Sequence, residues 1–240
     1  MIYSATMEPT TKPKGYELPD LREKAVNHKG ETQISEKRLF LQLQVYTGCA
    51  DPKPLADGRT FRGWEGDTNK TWRIEAGAFV GGSLKAPVPR NEFLRTQRSY
   101  TNFVLRLKFK LVGTPAGGFI NGGVQIRSQP ASNPPNEMVG YQCDMGDGWW
   151  GTLYDESRRN KPLIKPDPKA VEKALKPSDW NEYVIRAEGR RIRTSINGID
   201  MIDYTEPDTA IPQFGLIGLQ VHGGGPAEAF YRDITIEELP

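Results

Sequence analysis

The chain has 240 residues, a formal net charge of +2, 25 glycines, 19 prolines and only two cysteines. That length suffices for one sizeable domain without disulfides, and the high Gly and Pro content is typical of a loop-rich β protein rather than a helical bundle. The charges are interspersed and no stretch approaches the roughly 20 apolar residues of a membrane span, so the sequence predicts neither a nucleic-acid partner nor a transmembrane segment.

The first 57 residues differ from the remainder, and we interpret 1–57 as an extension or leader and 58–240 as a β domain. The extension begins with a polar, proline-containing stretch and carries no signal peptide at its start. The segment Glu36–Cys49 faintly resembles the charged, apolar and cysteine regions of a lipoprotein signal; the alternative is an ordinary strand. Residues 18–55 also weakly resemble the opening of a chlorite-dismutase-like family, and since only that opening is present, no haem function follows.

From Gly58 onward, short alternating apolar and polar runs are separated by turn residues, a pattern that predicts an antiparallel sandwich. The run at 102–112 places its apolar residues on one face and its basic residues on the other. Asn197-Gly198 predicts a hairpin turn, and Asp167–Lys176 predicts one capped helix. We therefore expect an all-β sandwich of two antiparallel sheets with one short surface helix and an irregular N-terminal arm.

Three of the predicted strands each carry an apolar face and a face of long hydrogen-bonding side chains. If these strands are neighbours, one sheet face would be lined by Gln125, Arg127, Gln142, Asp144, Gln220 and His222. An amide-rich face with aromatic residues beside it suits a sugar ligand, and Trp149, Trp150 and Tyr154 are available as rings. The alternatives are that the polar residues simply face solvent and that a tryptophan packs in the core.

The segment Asp155–Arg159 gathers two acids and two arginines directly after a predicted strand. Their pairing is either structural or holds a carboxylate ionised beside a sugar site. His222 is a candidate general base or metal ligand. No spacing demands a metal; a divalent cation, if bound, would take Asp144, Glu156 and His222.

Several motifs in collinear order resemble the 3-keto-disaccharide hydrolase family, formerly a domain of unknown function, over residues 58–240. They include GYQCDMGD at 140–147, WGTLYDESRR at 150–159 and GLIGLQVHGG at 215–224. The resemblance implies a concanavalin/laminin-G-like jelly roll that cleaves 3-keto-glycosides by hydrolysis or by β-elimination with rehydration. The family commonly has Glu and Gln at positions 142 and 144, so the acid of this chain lies two residues later.

Roles for individual residues follow from that resemblance. We expect His222 or Asp144 as the base, Arg127 or a divalent cation as the enolate stabiliser, and Glu156 or Tyr154 as the acid. The expected substrate-binding residues are Gln125, Gln142, Asp147, Trp150, Arg158 and Gln220. The alternative function is a non-catalytic carbohydrate-binding module.

The expected partner is a small saccharide or glycoside. The resemblance suggests a periplasmic or secreted protein, with a cytoplasmic location as the open alternative. The sequence does not determine the oligomeric state.

Overall fold

A computed structural model describes residues 51–113, 118–134 and 136–240. The lipoprotein-like and chlorite-dismutase-like segments before residue 51 lie outside the described residues, so the division into extension and β domain remains a prediction. The described end of that extension contributes a short strand, Lys53–Pro54, which pairs with the last strand of the chain. Across the described ranges, no helix has the length and apolar character needed to cross a membrane.

Fifteen strands and one helix account for the regular structure of the described residues. In chain order they are β1 (Lys53–Pro54), β2 (Trp64–Glu65), β3 (Trp72–Glu75), β4 (Ala78–Ser83), β5 (Glu92–Thr96), β6 (Phe103–Gly113), β7 (Asn121–Pro130), β8 (Met138–Gly146), β9 (Leu153–Glu156), β10 (Lys161–Ile164), α1 (Pro168–Ala174), β11 (Asn181–Glu188), β12 (Arg191–Ile196), β13 (Ile199–Thr205), β14 (Leu216–Val221) and β15 (Ala227–Glu238).

These strands form two antiparallel sheets, which confirms the predicted all-β sandwich. The front sheet has the order β10-β9-β8-β7-β14-β5-β2. The back sheet has the order β13-β12-β11-β6-β15-β4-β3, with β1 paired to β15. Strands β7 to β10 are neighbours in the front sheet because they follow one another in the chain, whereas β14 comes from a distant part of the sequence and pairs with both β7 and β5. The chain therefore brings β7, β8 and β14 side by side at the centre of the front sheet.

The apolar faces of the two sheets form one continuous core. In β6 the predicted alternation is confirmed, because Leu105, Leu107 and Phe109 are buried while Arg106 between them is exposed. Val124 and Cys143 contribute from the front sheet. Removing this apolar surface from water is the main favourable term in folding, and it fixes which face of each strand must point outward.

The predicted helix and hairpin turn are both present. Asp167 caps α1 by accepting a hydrogen bond from the backbone N–H of Lys169 at 2.9 Å. Between β12 and β13, Asn197 and Gly198 have positive φ angles of 50° and 78°, as a type I′ turn requires.

Strand β7 contains a bulge that simple alternation does not predict. Arg127 has a φ of 50°, and the pairing of β7 with β8 shifts register between Ile126 and Gln129. A bulge re-aims the side chains around it. As a result, the outward partner of Gln125 on this strand is Ser128, whose hydroxyl lies 2.6 Å from the Gln125 amide oxygen. The expectation that Arg127 shares this face is wrong.

Candidate functional site

A cleft of about 160 Å³ opens on the outer face of the front sheet. It brings together five residues that the sequence predicted for the site, namely Gln142, Asp144, Tyr154, Glu156 and His222. Trp149, one of the three rings offered for a sugar, also lines it, together with two residues that were not predicted there, Phe119 and Asn121.

Strand pairing explains why these side chains converge. Gln142 of β8 is paired with Tyr154 of β9, and Gly140 is paired with Glu156, so all four positions share the outer face. Cys143, between Gln142 and Asp144, points into the core. On the other side, the backbone N–H of His222 donates to the carbonyl of Asn121 at 3.1 Å, which ties the residue after β14 to the start of β7.

Asp144 forms the floor of the cleft, and its surroundings favour the neutral form of its carboxyl group. Its side chain is buried, and this burial raises its pKa well above the usual range for a carboxyl group. The hydrogen bond that Gln142 Nε2 donates to Asp144 Oδ1 at 2.8 Å opposes the rise, while the nearby charge of Glu156 adds to it. Burial therefore favours the protonated form of Asp144, which can donate a hydrogen bond.

Glu156 exchanges its proton near neutrality. Burial, with a further contribution from the nearby Glu137, raises the pKa of Glu156 to about 7. Tyr154, two residues earlier on β9, keeps its proton because burial and the charge of Glu156 raise its pKa. The cleft thus contains one carboxyl group poised to act as either acid or base at physiological pH.

His222 has the opposite character. Burial lowers its pKa, so the ring is neutral at pH 7. Its Nδ1 contacts the backbone carbonyl of Gly223, which can only accept a hydrogen bond, so Nδ1 carries the hydrogen. The other ring nitrogen, Nε2, is then the unprotonated one and can accept a proton. Phe119 packs its ring edge-on against the imidazole at 4.8 Å and fixes the ring orientation.

The two adjacent tryptophans point in different directions. Trp149 lines the cleft and meets Tyr154 edge-to-face at 5.7 Å, and the Lys165 ammonium lies 4.7 Å from its ring centre. Trp150 stacks on Phe109 of the back sheet, at 6.2 Å, and packs against the core. Of the two tryptophans, Trp149 is therefore the ring that faces the cleft, while Trp150 is partly buried against the core.

Gln125 and Gln220 lie on the outer face of the front sheet but are not among the residues that line the cleft. Both side chains are completely buried. Gln125 Nε2 donates to Gln142 Oε1 at 2.9 Å, whereas neither amide atom of Gln220 has a hydrogen-bond partner among the residues that the structure describes. Asp147 is exposed in the turn that follows β8. These three residues do not join the cleft in which their binding role was expected.

Arg127 points away from the cleft and is fully engaged elsewhere. Its guanidinium donates to the carbonyls of Thr101 and Gly189 at 2.7 and 2.6 Å, and to the Gln213 side chain at 2.7 Å. Burial lowers its pKa to about 10, which still leaves it charged at neutral pH. Arg127 therefore holds neighbouring loops together. The enolate-stabilising role that was expected for Arg127 would have to be filled by another residue.

Asp155, Arg158 and Arg159 form an ion-pair network with Glu206, in which both carboxylates are buried, whereas Glu156 faces the cleft. Arg158 donates to Asp155 at 2.8 Å and lies over the Tyr141 ring, and it does not line the cleft in which its substrate contact was expected. Arg159 also donates to Asp155 and continues to Glu206 at 2.7 Å. Burial alone would raise the pKa of Glu206, but hydrogen bonds led by Arg159 lower it to about 2. Of the two interpretations of this segment, the geometry fits the one in which the arginine–carboxylate pairs have a structural role.

The three metal candidates Asp144, Glu156 and His222 all line the cleft. Within 51–113, 118–134 and 136–240, however, no three His, Cys, Asp or Glu side chains are grouped closely enough to hold a metal ion. The donor set therefore does not fit a protein-held cation, and we derive no chemical step through one.

A larger cavity of about 400 Å³ lies beside the back sheet, lined in part by Asp57, Arg59, Arg232 and Asp233. Asp57 already accepts hydrogen bonds from the backbone of Arg59 and from Thr60, and Asp233 pairs with Lys108. The two acids of this cavity thus stabilise a turn and form a surface ion pair. The acids and the histidine that could act together, Asp144, Glu156 and His222, lie in the smaller cleft.

Sequence reasoning could have found one of the missed residues. Asn121 precedes Gly123 and Gln125 at alternate positions of β7, so it shares their face and belongs with the polar set. Phe119 and Trp149 lie in connections between strands, where no periodicity indicates the side-chain direction.

The model of one domain family, described as the 3-keto-alpha-glucoside-1,2-lyase-like domain, matches residues 51–237. No curated protein sequence gives a significant match. Among solved structures, a candidate glycosyl hydrolase from Parabacteroides distasonis is similar with 17% identity, 87% of this chain and 99% of that chain covered, and a TM-score of 0.58. A second one from the same organism shows 21% identity, coverage of 79% and 100%, and a TM-score of 0.57. The carbohydrate-binding module CBM66 from Bacillus subtilis shows 16% identity, coverage of 73% and 96%, and a TM-score of 0.56. These likenesses support the jelly-roll sandwich.

The buried network makes a stability prediction. Replacing Arg159 with methionine leaves the buried carboxylates of Asp155 and Glu206 short of a partner, which is strongly destabilising. We expect Arg159→Met to lower the melting temperature by several degrees in a thermal unfolding experiment at pH 7. The control Arg191→Met breaks an exposed pair with Asp203 and should change it little. Equal effects of the two substitutions would contradict the network's structural role.

Proposed function

Because the chain belongs to the 3-keto-alpha-glucoside-1,2-lyase-like family, we propose that this carbohydrate-active protein cleaves glycosides whose sugar ring is oxidised to a ketone at C3. One observation carries the proposal. A single small cleft holds a neutral histidine together with two carboxyl groups whose pKa values burial raises. Titratable groups whose environments push them to different protonation states mark acid and base roles.

The reaction that suits these groups is a β-elimination. A ketone at C3 acidifies the C2 hydrogen, so a base can remove it as a proton. The C2–H bond breaks, a C1–C2 double bond forms, and the C1–O bond to the aglycone breaks while the aglycone oxygen takes up a proton. Water then adds across the double bond and gives the free 3-keto sugar. The chemistry needs a base, a donor to the developing enolate oxygen and an acid at the leaving group.

The cleft supplies a residue for each role. His222 takes the C2 proton on Nε2, the ring nitrogen that its contact with Gly223 leaves unprotonated. Asp144, kept neutral by burial, donates a hydrogen bond to the C3 oxygen as negative charge develops there. Glu156 protonates the departing oxygen, and Tyr154 beside it is a second donor. In this scheme Asp144 takes the role that the sequence had suggested for Arg127 or a cation.

The second candidate function, carbohydrate binding without turnover, is favoured by the similarity of the fold to CBM66. Jelly rolls serve both functions, so the fold does not choose between them. The acid and base groups of the cleft favour the enzyme, because a binding module has no use for a neutral histidine opposite a protonated carboxyl group.

Release of the aglycone distinguishes these two functions. Purified protein is incubated with a chromogenic 3-keto-glucoside and with the parent glucoside, each with and without added divalent metal. We expect release from the keto substrate only, and we expect His222→Ala and Asp144→Asn each to lower the rate about a hundredfold. Binding of the parent sugar without release under any of these conditions would leave the binding module as the function.

The rate should depend on pH with a bell-shaped profile. His222 must be neutral, so activity rises as the pH increases through its lowered pKa; Glu156 must be protonated, so activity falls above about pH 7. The measurement is kcat/KM from pH 5 to 9. In Glu156→Gln the fall above pH 7 should disappear and the rate should drop roughly a hundredfold. An unchanged alkaline limb in that variant would remove Glu156 from the acid role.

The two tryptophans provide a matched pair of variants. Trp149→Ala removes the aromatic wall of the cleft and should raise KM by about tenfold, while kcat and the melting temperature change little. Trp150→Ala removes a ring packed on Phe109 and should lower the melting temperature, while KM stays near the wild-type value. Steady-state kinetics and thermal unfolding measure both effects, and a reversed pattern would contradict the assignment of Trp149 to the sugar.

A further inference from the structure

A continuous chain of buried hydrogen bonds runs beneath the cleft to Asp144. The Ser128 hydroxyl donates to Gln125 Oε1 at 2.6 Å, and Gln125 Nε2 donates to Gln142 Oε1 at 2.9 Å. Gln142 Nε2 then donates to Asp144 Oδ1 at 2.8 Å. The four side chains are 0%, 0%, 2% and 4% exposed in the same order, so water does not compete for these bonds.

Every donor in this chain points toward Asp144. Each amide uses its oxygen to accept from the preceding residue and its nitrogen to donate to the next. Asp144 Oδ1 is therefore committed to accepting. Because a neutral carboxyl group has only one proton, that proton belongs on Oδ2.

Two glycines in the neighbouring backbone leave space for the side chains that form these hydrogen bonds. A Cβ atom at Gly123 would lie 2.8 Å from the Gln142 side-chain carbons, and one at Gly140 would lie 2.3 Å from the Ser128 hydroxyl oxygen. Real Cβ contacts are not this short, so both positions must lack a side chain for the amides and the hydroxyl to lie where they do. The chain of hydrogen bonds therefore depends on both glycines, and their backbone geometry is an observation independent of the hydrogen bonds themselves.

We infer that Ser128, Gln125 and Gln142 are positioning residues that hold Asp144 Oδ1 as an acceptor and so direct the Asp144 proton, on Oδ2, to the substrate ketone. The inference rests on the proposed function for the substrate, but the proton's location is a property of the protein alone. It reassigns Gln125 and Gln142, which the sequence predicted as sugar contacts. Ser128 and Gln125 do not line the cleft, so they act only through Asp144.

A double-substitution cycle tests the connection. Ser128→Ala and Gln142→Met should each lower kcat by about tenfold, the rate equivalent of one net hydrogen bond, and Ser128→Ala should leave KM within about twofold. In the Gln142→Met background, Ser128→Ala should have no further effect on kcat, because the path to Asp144 is already broken. If the two substitutions together lowered kcat by the product of their separate effects, the inferred hydrogen-bond connection from Ser128 to Asp144 would be wrong. Thr194→Val, which removes a buried hydroxyl of the back sheet, is the control and should leave kcat unchanged.

Infrared spectroscopy supplies a readout that does not need the substrate. The difference between wild type and Asp144→Asn isolates the C=O stretch of the neutral Asp144 carboxyl group, and this stretch has a lower frequency while Oδ1 accepts a hydrogen bond. Ser128→Ala and Gln142→Met should both move it upward, and Thr194→Val should not. A shift without cleavage of 3-keto-glycosides would retain the donor chain and reject the proposed function. Cleavage with an unmoved band would reject the donor chain and retain the function.

Discussion

The arrangement of the cleft depends on the bulge at Arg127. The bulge is held by the guanidinium, which binds the carbonyls of Thr101 and Gly189 and the side chain of Gln213. At Gly215, which begins the approach of β14, an added Cβ would lie 2.5 Å from the Arg127 carbonyl carbon, so only glycine permits this closeness. The bulge turns Arg127 away from the outer face and brings Ser128 onto it. Without this one-residue shift, Ser128 would not donate a hydrogen bond to Gln125, and the chain of hydrogen bonds to Asp144 would lack its first donor.

The sandwich core sets the electrostatics of the same cleft. Cys143 and Val124 face the back sheet, so Gln142, Asp144 and Gln125 must face outward on neighbouring strands. These outward positions are themselves buried, and ionised groups are poorly solvated there. Burial therefore raises the pKa of the carboxyl groups and lowers that of the histidine. The opposite directions follow from one cause, since burial always disfavours the charged form. Burial therefore favours the uncharged forms of both the acids and the base that line this cleft.

The sequence was sufficient for the fold and for part of the site. Alternation in β6, the Asn-Gly turn and the Asp167 cap each depend on neighbouring residues, and each is confirmed. Asp144, Glu156 and His222 converge because alternation places them correctly once the strands are neighbours. Arg127 and Trp150 lie elsewhere for reasons that local patterns do not contain. Their partners Gln213 and Phe109 are far away in the sequence, and a bulge or a turn decides their direction. Arg158 is bound by Asp155 three residues before it, which is the structural alternative that the sequence had left open.

The same distribution of arginines explains how the cleft can keep a neutral acid. Arg127 is bound by carbonyl groups, and Arg158 and Arg159 are bound by Asp155 and Glu206, so none of them reaches the floor of the cleft. Lys165 rests on Trp149 at the rim and is exposed. A guanidinium beside Asp144 would favour its ionised form and remove the proton that the substrate ketone needs. Among the described residues, no lysine or arginine lines the cleft. The lack of a lining cation and the raised pKa of Asp144 are therefore linked, and in the proposed reaction an enolate would be stabilised by a neutral donor instead of a fixed positive charge.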